Sequence, residues 1–227
     1  MGPTIQDDLF SILIRFRIHK YVLSADIEKM YRQILVDPAD RPFQRILWRA
    51  DAQSRIQIYE LNTVTYGTAS APFLATRVLQ QVGIKCAHTH PETSRIILRD
   101  FYIDDLLTGT KTLAEALRRK REVSSILAKA GFPLCKWASN CPSIVTEASL
   151  GDKVIAEKDP KTLGLLWSAK EDCLYFAIKA LHHSRVTKRI ILSEIAQIFN
   201  PLGLIGPVIV RAKIILQQLL AVTLRMK

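Results

Sequence analysis

Asp104 and Asp105 stand side by side in the stretch Arg95-Ile-Ile-Leu-Arg-Asp-Phe-Tyr-Ile-Asp-Asp-Leu-Leu-Thr-Gly109. Two carboxylates held that close repel one another unless a cation neutralises them, and hard divalent ions prefer carboxylate oxygen. A third acid, Asp26, follows the apolar run Tyr21-Val-Leu-Ser-Ala25. If the three converge, they make a donor set for one or two divalent ions about 4 Å apart, the arrangement that suits in-line displacement at phosphorus. Each acid also has a plainer reading. Asp is a favoured turn residue, and a lone Asp after a strand can simply cap the helix that follows. Taken singly, these residues leave both readings open.

The surrounding elements decide where the acids must sit. Ile96, Ile97, Leu98, Phe101, Tyr102 and Ile103 lead into the pair, and Leu106, Leu107 and Thr108 lead out. Short apolar, β-favouring runs bounded by turn residues read as buried strands, which puts Asp104 and Asp105 at the tip of a hairpin. Upstream, Ile5, Leu9, Ile12, Leu13 and Phe16 recur at helical spacing, with Thr4 and Asp7 placed as a capping pair. Tyr21 to Ala25 is a short buried strand, and Glu28 to Ile34 a helical turn. Phe43–Arg49 and Arg55–Leu61 alternate as a β-hairpin. The small-residue loop Thr65-Tyr-Gly-Thr-Ala-Ser-Ala-Pro72 opens a helix whose buried stripe is Leu74, Val78, Leu79 and Val82, with Gly83 at its end.

Thr112-Leu-Ala-Glu115 is a capping box. It starts a helix with Leu113, Ala116, Leu117, Val123, Ile126 and Leu127 inward and Arg118, Arg119, Lys120 and Arg121 outward, closed by Gly131. Phe132–Ala138 then leaves as a strand carrying Lys136. Leu163–Ser168 and Cys173–Ile178 form another hairpin. Helical patterning fills the chain from Ser184, broken at Asn200-Pro201. Antiparallel hairpins followed by helices define an α+β domain with a helical appendage.

With 227 residues the chain can bury a substantial core. Lys and Arg number 32 against 21 Asp and Glu, a net charge of +11 that favours a polyanionic partner such as nucleic acid. The four cysteines, Cys86, Cys135, Cys141 and Cys173, show no Cys-x-x-Cys spacing and follow no secretory signal, so they read as reduced thiols of an intracellular protein. Arg211 and Lys213 interrupt the most apolar stretch, against a membrane span. Cys86-Ala-His-Thr-His90 lacks a matching second ligand pair and reads as a polar loop.

The acids, with their neighbours, resemble the motifs of reverse transcriptases in order. Asp26 is followed five positions later by Tyr31, as in their first motif. Gly67-Thr-Ala-Ser-Ala-Pro72 is similar to the second and Tyr102-Ile-Asp-Asp105 to the third. Ala130-Gly131 with Lys136 resembles the fourth, and Leu163-Gly-Leu-Leu-Trp167 the fifth. Ala25–Ile34, Phe43–Arg49 and Asn200-Pro-Leu-Gly-Leu204 resemble the Pao/BEL class of long-terminal-repeat retrotransposons. The likeness runs over essentially the whole chain.

That resemblance implies a reverse-transcriptase-like palm, an antiparallel sheet packed on helices, over residues 1–150. A primer-grip-like hairpin and a partial helical thumb or connection region would occupy residues 151–227. It also implies two Mg2+ ions, with Mn2+ as a substitute, held by Asp26, Asp104, Asp105 and the main-chain carbonyl of Ile27. Lys136 would assist at the pyrophosphate. Tyr31 would lie under the sugar and exclude a 2′-hydroxyl, with Tyr66 and Gly67 beside the incoming nucleotide. Tyr102, Leu166 and Trp167 would position the primer. The implied partners are an RNA or DNA template with its primer, deoxynucleoside triphosphates, and the rest of a polyprotein (fingers, RNase H, integrase), with no membrane. The expected location is cytoplasmic, including virus-like particles. Too few residues precede Asp26 for a fingers subdomain, so the chain reads as the palm and thumb of something longer. A transposon-derived remnant that binds nucleic acid or a partner without catalysis is the alternative.

Overall fold

The computed structural model describes residues 2–146, 161–162, 165–175, 187–196, 200 and 202–225. The chain divides into two units, Met1–Lys158 and Asp159–Lys227.

In the first unit, α1 (Leu9–Arg17) precedes β1 (Tyr21–Ile27), and 3-10 turns at Met30–Gln33 and Arg41–Gln44 lead to β2 (Arg45–Trp48) and β3 (Gln57–Glu60). Then come α2 (Ala71–Cys86), α3 (Pro91–Arg99), β4 (Phe101–Tyr102), β5 (Asp105–Thr110), α4 (Leu113–Lys129), β6 (Leu134–Ser139) and α5 (Pro142–Thr146). Four strands make one antiparallel sheet in the order β4-β5-β1-β6. β1 lies inside it and is apolar on both faces, with Val22, Leu23, Ala25 and Ile27 all buried. The core joins Leu23 and Ile27 to Leu79 of α2, Ile96 and Ile97 of α3, and Val123 and Leu127 of α4. Sheet and helices thus form the α+β palm expected from sequence.

Local chemistry moves several boundaries. α1 is capped by Asp8, whose carboxylate accepts from the Ser11 amide at 2.9 Å and the Ser11 hydroxyl at 2.7 Å. Thr4 and Asp7 are not the cap; Asp7 instead pairs with Arg15 at 2.9 Å. Ile96, Ile97 and Leu98 belong to a helix, not to a strand leading into Asp104. Pro91 fixes the first turn, and a short apolar run cannot by itself tell a buried strand from a buried helix face. Gly83 does not end α2, which runs on to Cys86. A Cβ on Gly83 would lie 2.9 Å from Leu98 Cγ, so the missing side chain is what lets α3 approach. Leu74 is exposed, and the buried stripe runs through Ala71, Ala75, Leu79 and Gly83.

The capping box at Thr112 forms, its hydroxyl accepting from the Glu115 amide at 3.3 Å, and Gly131 closes α4 at φ +83°. Lys120, however, is not on the solvent face. It is 1% exposed, donates to the Ile144 carbonyl at 3.1 Å, and lies 5.5 Å from the Trp137 ring centre. The hydrogen bond and the ring quadrupole compensate its buried charge.

The second unit holds β7 (Lys161–Thr162), β8 (Leu165–Ser168) and β9 (Cys173–Tyr175), paired antiparallel in that order, with helices α6 (Lys188–Ala196) and α7 (Gly206–Arg225). The expected hairpin is β8–β9; Leu163, Gly164 and Phe176–Ile178 lie outside the described residues. All four cysteines are free thiols. Among the described residues no helix is long and apolar enough to cross a membrane.

Candidate active site

Strand register brings the acids together. Asp26 of β1 is the direct cross-strand partner of Asp105 on β5, and the Ile27 amide donates to the Asp104 carbonyl at 2.9 Å. The backbones of Asp26, Ile27, Asp104 and Asp105 are therefore one hydrogen-bonded patch at the end of two strands. Tyr102 pairs with Asp105 across the β4–β5 turn. Ile103, between them, has φ +57°. A β-branched side chain in the left-handed region is strained by about 1–2 kcal/mol, so something must hold it there. Gln6 does: its side-chain oxygen accepts from the Ile103 amide at 3.1 Å. The segment bearing Gln6 is fastened in turn by Gln80, whose amide donates to the Ile5 carbonyl.

Lys136 reaches the same patch from β6 through a bulge. Ser24 faces Ala138 but Asp26 faces Cys135, so β6 carries one extra residue there, and Lys136 takes φ +55°. Bulges re-aim side chains. Here the ammonium lands 2.7 Å from Asp26 Oδ2. The neighbouring Cys135 is buried and its thiol donates to the Asp26 carbonyl at 3.4 Å.

Charge crowding shows in the acids. Burial, then the charges of Asp104 and Asp26, push the Asp105 carboxyl up to about 7. Burial and the Asp26 charge likewise hold Asp104 above the usual carboxylate range. Lys136 is held above its ordinary range chiefly by its hydrogen bond to Asp26. The expected convergence is incomplete, however: among the described residues no three His, Cys, Asp or Glu side chains stand close enough to hold a metal ion as they are. One oxygen of Asp26 is committed to Lys136, the cation nearest to hand. The donor chemistry still fits a divalent ion. Asp26 and Asp105 are direct partners on adjacent strands with Asp104 next in chain, and hard carboxylate oxygen suits a divalent ion. A cation there would favour the ionised form of Asp105 that burial and its acidic neighbours disfavour.

That proton gives a measurable sign. Between about 3.8 and about 7 the folded metal-free chain keeps a proton on Asp105 that the unfolded chain has lost. Stability therefore falls as pH rises through that window. In chelator, Asp105→Asn is expected to gain stability over the wild type across this range, and saturating Mg2+ to restore the wild type alone. Parallel melting curves for the two chains at every pH would exclude the effect.

Tyr31 lies against Tyr66, ring centres 4.4 Å apart. It is 7% exposed, so its ring is part of the core as well as of the site's edge. Burial first, then the charge of Asp104, raises its hydroxyl's pKa. Tyr66 is exposed, and Gly67 turns the chain at φ +86° into the start of α2. Trp167 is wholly buried in the second unit, its indole N–H donating to Asp172 at 3.1 Å. Leu166 is described there in its backbone alone, paired with Tyr175.

Gln6 and Cys135 were not marked by the sequence. Gln6→Ala should release the Ile103 amide, cost about 1 kcal/mol, and speed hydrogen exchange at Ile103 selectively. Gln6→Glu keeps an acceptor oxygen and should protect the amide. Unchanged exchange at Ile103 in the alanine variant would show that the turn holds itself.

A palm of this topology, with acids on the central strand and the adjacent turn, defines a polymerase class, and the comparisons agree. A family model described as reverse transcriptase (RNA-dependent DNA polymerase) matches residues 7–136. The chain belongs to that family, as an RNA-directed DNA polymerase. Residues 187–227, which include α6 and α7, match a model described as Pao retrotransposon-like RNaseH-like domain. Together the two matches make it a reverse transcriptase of the Pao/BEL class of retrotransposons. A comparison with curated proteins gives no match.

Proposed function

We propose that this chain adds deoxynucleotides to a primer 3′-hydroxyl along an RNA or DNA template, with Asp26, Asp104 and Asp105 as the reaction centre. The observation that carries this is the register: Asp26 faces Asp105, and Asp104 is bonded through its carbonyl to the residue after Asp26. Asp26, Asp104, Asp105 and the carbonyl of Ile27 would hold divalent ions, Mg2+ by preference. When bound, such ions supply charge neutralisation at the α-phosphate and lower the pKa of the attacking hydroxyl.

The chain's own groups do the rest. Release of Asp26 from Lys136 frees a carboxylate oxygen for metal and an ammonium for phosphate. Lys136, kept protonated, stabilises charge that builds on the departing pyrophosphate and can donate a proton to it. Tyr31 and Tyr66 present an aromatic wall to the sugar and base, and Gly67 leaves its backbone open to the nucleotide. Tyr102 supports the primer end from β4. For Trp167, buried as it is, the contribution is to stiffen the β8–β9 hairpin whose backbone meets the primer. We assign residues 151–227 to that primer-gripping hairpin and a partial helical thumb or connection region, whose helices lie in the segment that matches the RNaseH-like model.

Primer extension on a polyribonucleotide template tests the reading. Extension should require a divalent ion and be lost in chelator. The alternative, a nucleic-acid binder without catalysis, would bind the same template–primer and extend it with no ion tested.

A further inference from the structure

A concave site lies in the first unit at the opposite end of the strands from the acids. Five residues along β5 separate Asp105 from Thr110, about 17 Å of strand. There the end of α1, α3, the end of β5 and the start of α4 line an open cavity of about 400 Å³. That is the size of a small-molecule pocket rather than of a strand groove. Five cationic side chains line it, Arg15, Arg95, Arg99, Lys111 and Arg119, against Glu92, Asp100 and Glu115. Formal charge is 5 − 3 = +2.

The acids do not cancel these cations evenly. Glu92 is taken mainly by Arg118, which also binds Glu122, and lies 4.0 Å from Arg119. Asp100 lies 3.5 Å from Arg15 and accepts from the Thr108 hydroxyl at 2.8 Å. Arg95, Arg99 and Lys111 have no ion pair among the described residues, and all three are exposed at the cavity. Arg15 and Arg119 are already engaged: Arg15 pairs with Asp7 at 2.9 Å as well as with Asp100, and Arg119 donates to the Gly109 carbonyl at 3.2 Å. Ile96 supplies a buried apolar floor and Ile18 an exposed apolar rim.

We infer that this cavity binds a small phosphorylated ligand of nucleotide size, its phosphate held by Arg99, Lys111 and Arg95 and its apolar part laid against Ile96 and Ile18. Guanidinium and ammonium groups converging on one concave wall are matched to phosphate oxygens. The catalytic acids do not share this site, because they repel phosphate unless a divalent ion intervenes.

Calorimetric titration of the full chain in EDTA, with inorganic pyrophosphate, adenosine monophosphate and adenosine in turn, tests the site. Chelator silences metal-dependent binding at the acids. Pyrophosphate and adenosine monophosphate should bind and adenosine should not. Arg99→Gln/Lys111→Gln, both exposed positions outside the core, should weaken both phosphorylated probes at least about tenfold. Lys85→Gln/Lys129→Gln removes the same charge elsewhere and should change them less than about twofold. No binding to the wild type, or equal weakening by the two double variants, would overturn the inference. So would a short oligothymidylate that binds while both small probes do not and loses its affinity in the cavity double, since the cavity would then belong to a nucleic-acid strand.

Discussion

Asp104→Asn is expected to abolish primer extension, a fall of at least about a thousandfold in kcat/KM, or about 4 kcal/mol of transition-state stabilisation. Template–primer affinity should change by less than about threefold, because phosphate contacts come from Lys and Arg rather than from acids. The substitution is nearly isosteric, and Asn suits a turn as well as Asp does, so the hairpin should survive it. What it removes is an acid from a patch in which three stand together on the backbone of two paired strand ends. Asp26 faces Asp105 directly and is held by Lys136 at 2.7 Å, so neither can move to take Asp104's place without breaking a strand pair or an ion pair. Single-turnover extension separates the two quantities. A variant that keeps more than about a tenth of wild-type extension would show that Asp104 sits at the turn for its backbone alone, and the metal assignment would contract to Asp26 and Asp105.

The places of the three acids on β1 and at the β4–β5 turn were legible because their signal is local: each ends or starts an apolar run whose strand character is written in a few residues. The sheet followed for the same reason. What the sequence hid was long-range or geometric. Lys136 reaches Asp26 only through a bulge with a left-handed residue, and no periodicity announces that. Gln6 holds Ile103 across the chain, and a glutamine on an irregular segment carries no pattern. Ile96–Leu98 were misplaced because a three-residue apolar run fits a strand or a helix face equally; Pro91, which favours the helix, lies outside the run. Lys120 is different. Ala116, Lys120, Val123 and Leu127 share one buried face of α4, so the helical period already put Lys120 inward. The expectation that charge stays in water outweighed it, although a long aliphatic stem with Trp137 and a carbonyl at its tip satisfies both.

Tyr31 offers the sharpest test of specificity. Its ring lies against Tyr66 and near enough to Asp104 to feel that charge, and we propose that it lies below the sugar of the incoming nucleotide. Tyr31→Ala is expected to lower discrimination against ribonucleotides by about ten- to a hundredfold, the range for losing one steric contact in a fitted pocket. Because Tyr31 is nearly buried, the same change should cost about 3–5 kcal/mol of stability, and activity alone would be uninterpretable. The ratio of kcat/KM for ribonucleotide over deoxynucleotide is the proper readout, since a misfolded fraction lowers both terms equally and cancels. Tyr31→Phe keeps the ring and should keep both the ratio and the fold. If the alanine chain loses stability but keeps the wild-type ratio, Tyr31 is a core aromatic one turn past β1, and sugar selection belongs to another wall of the site.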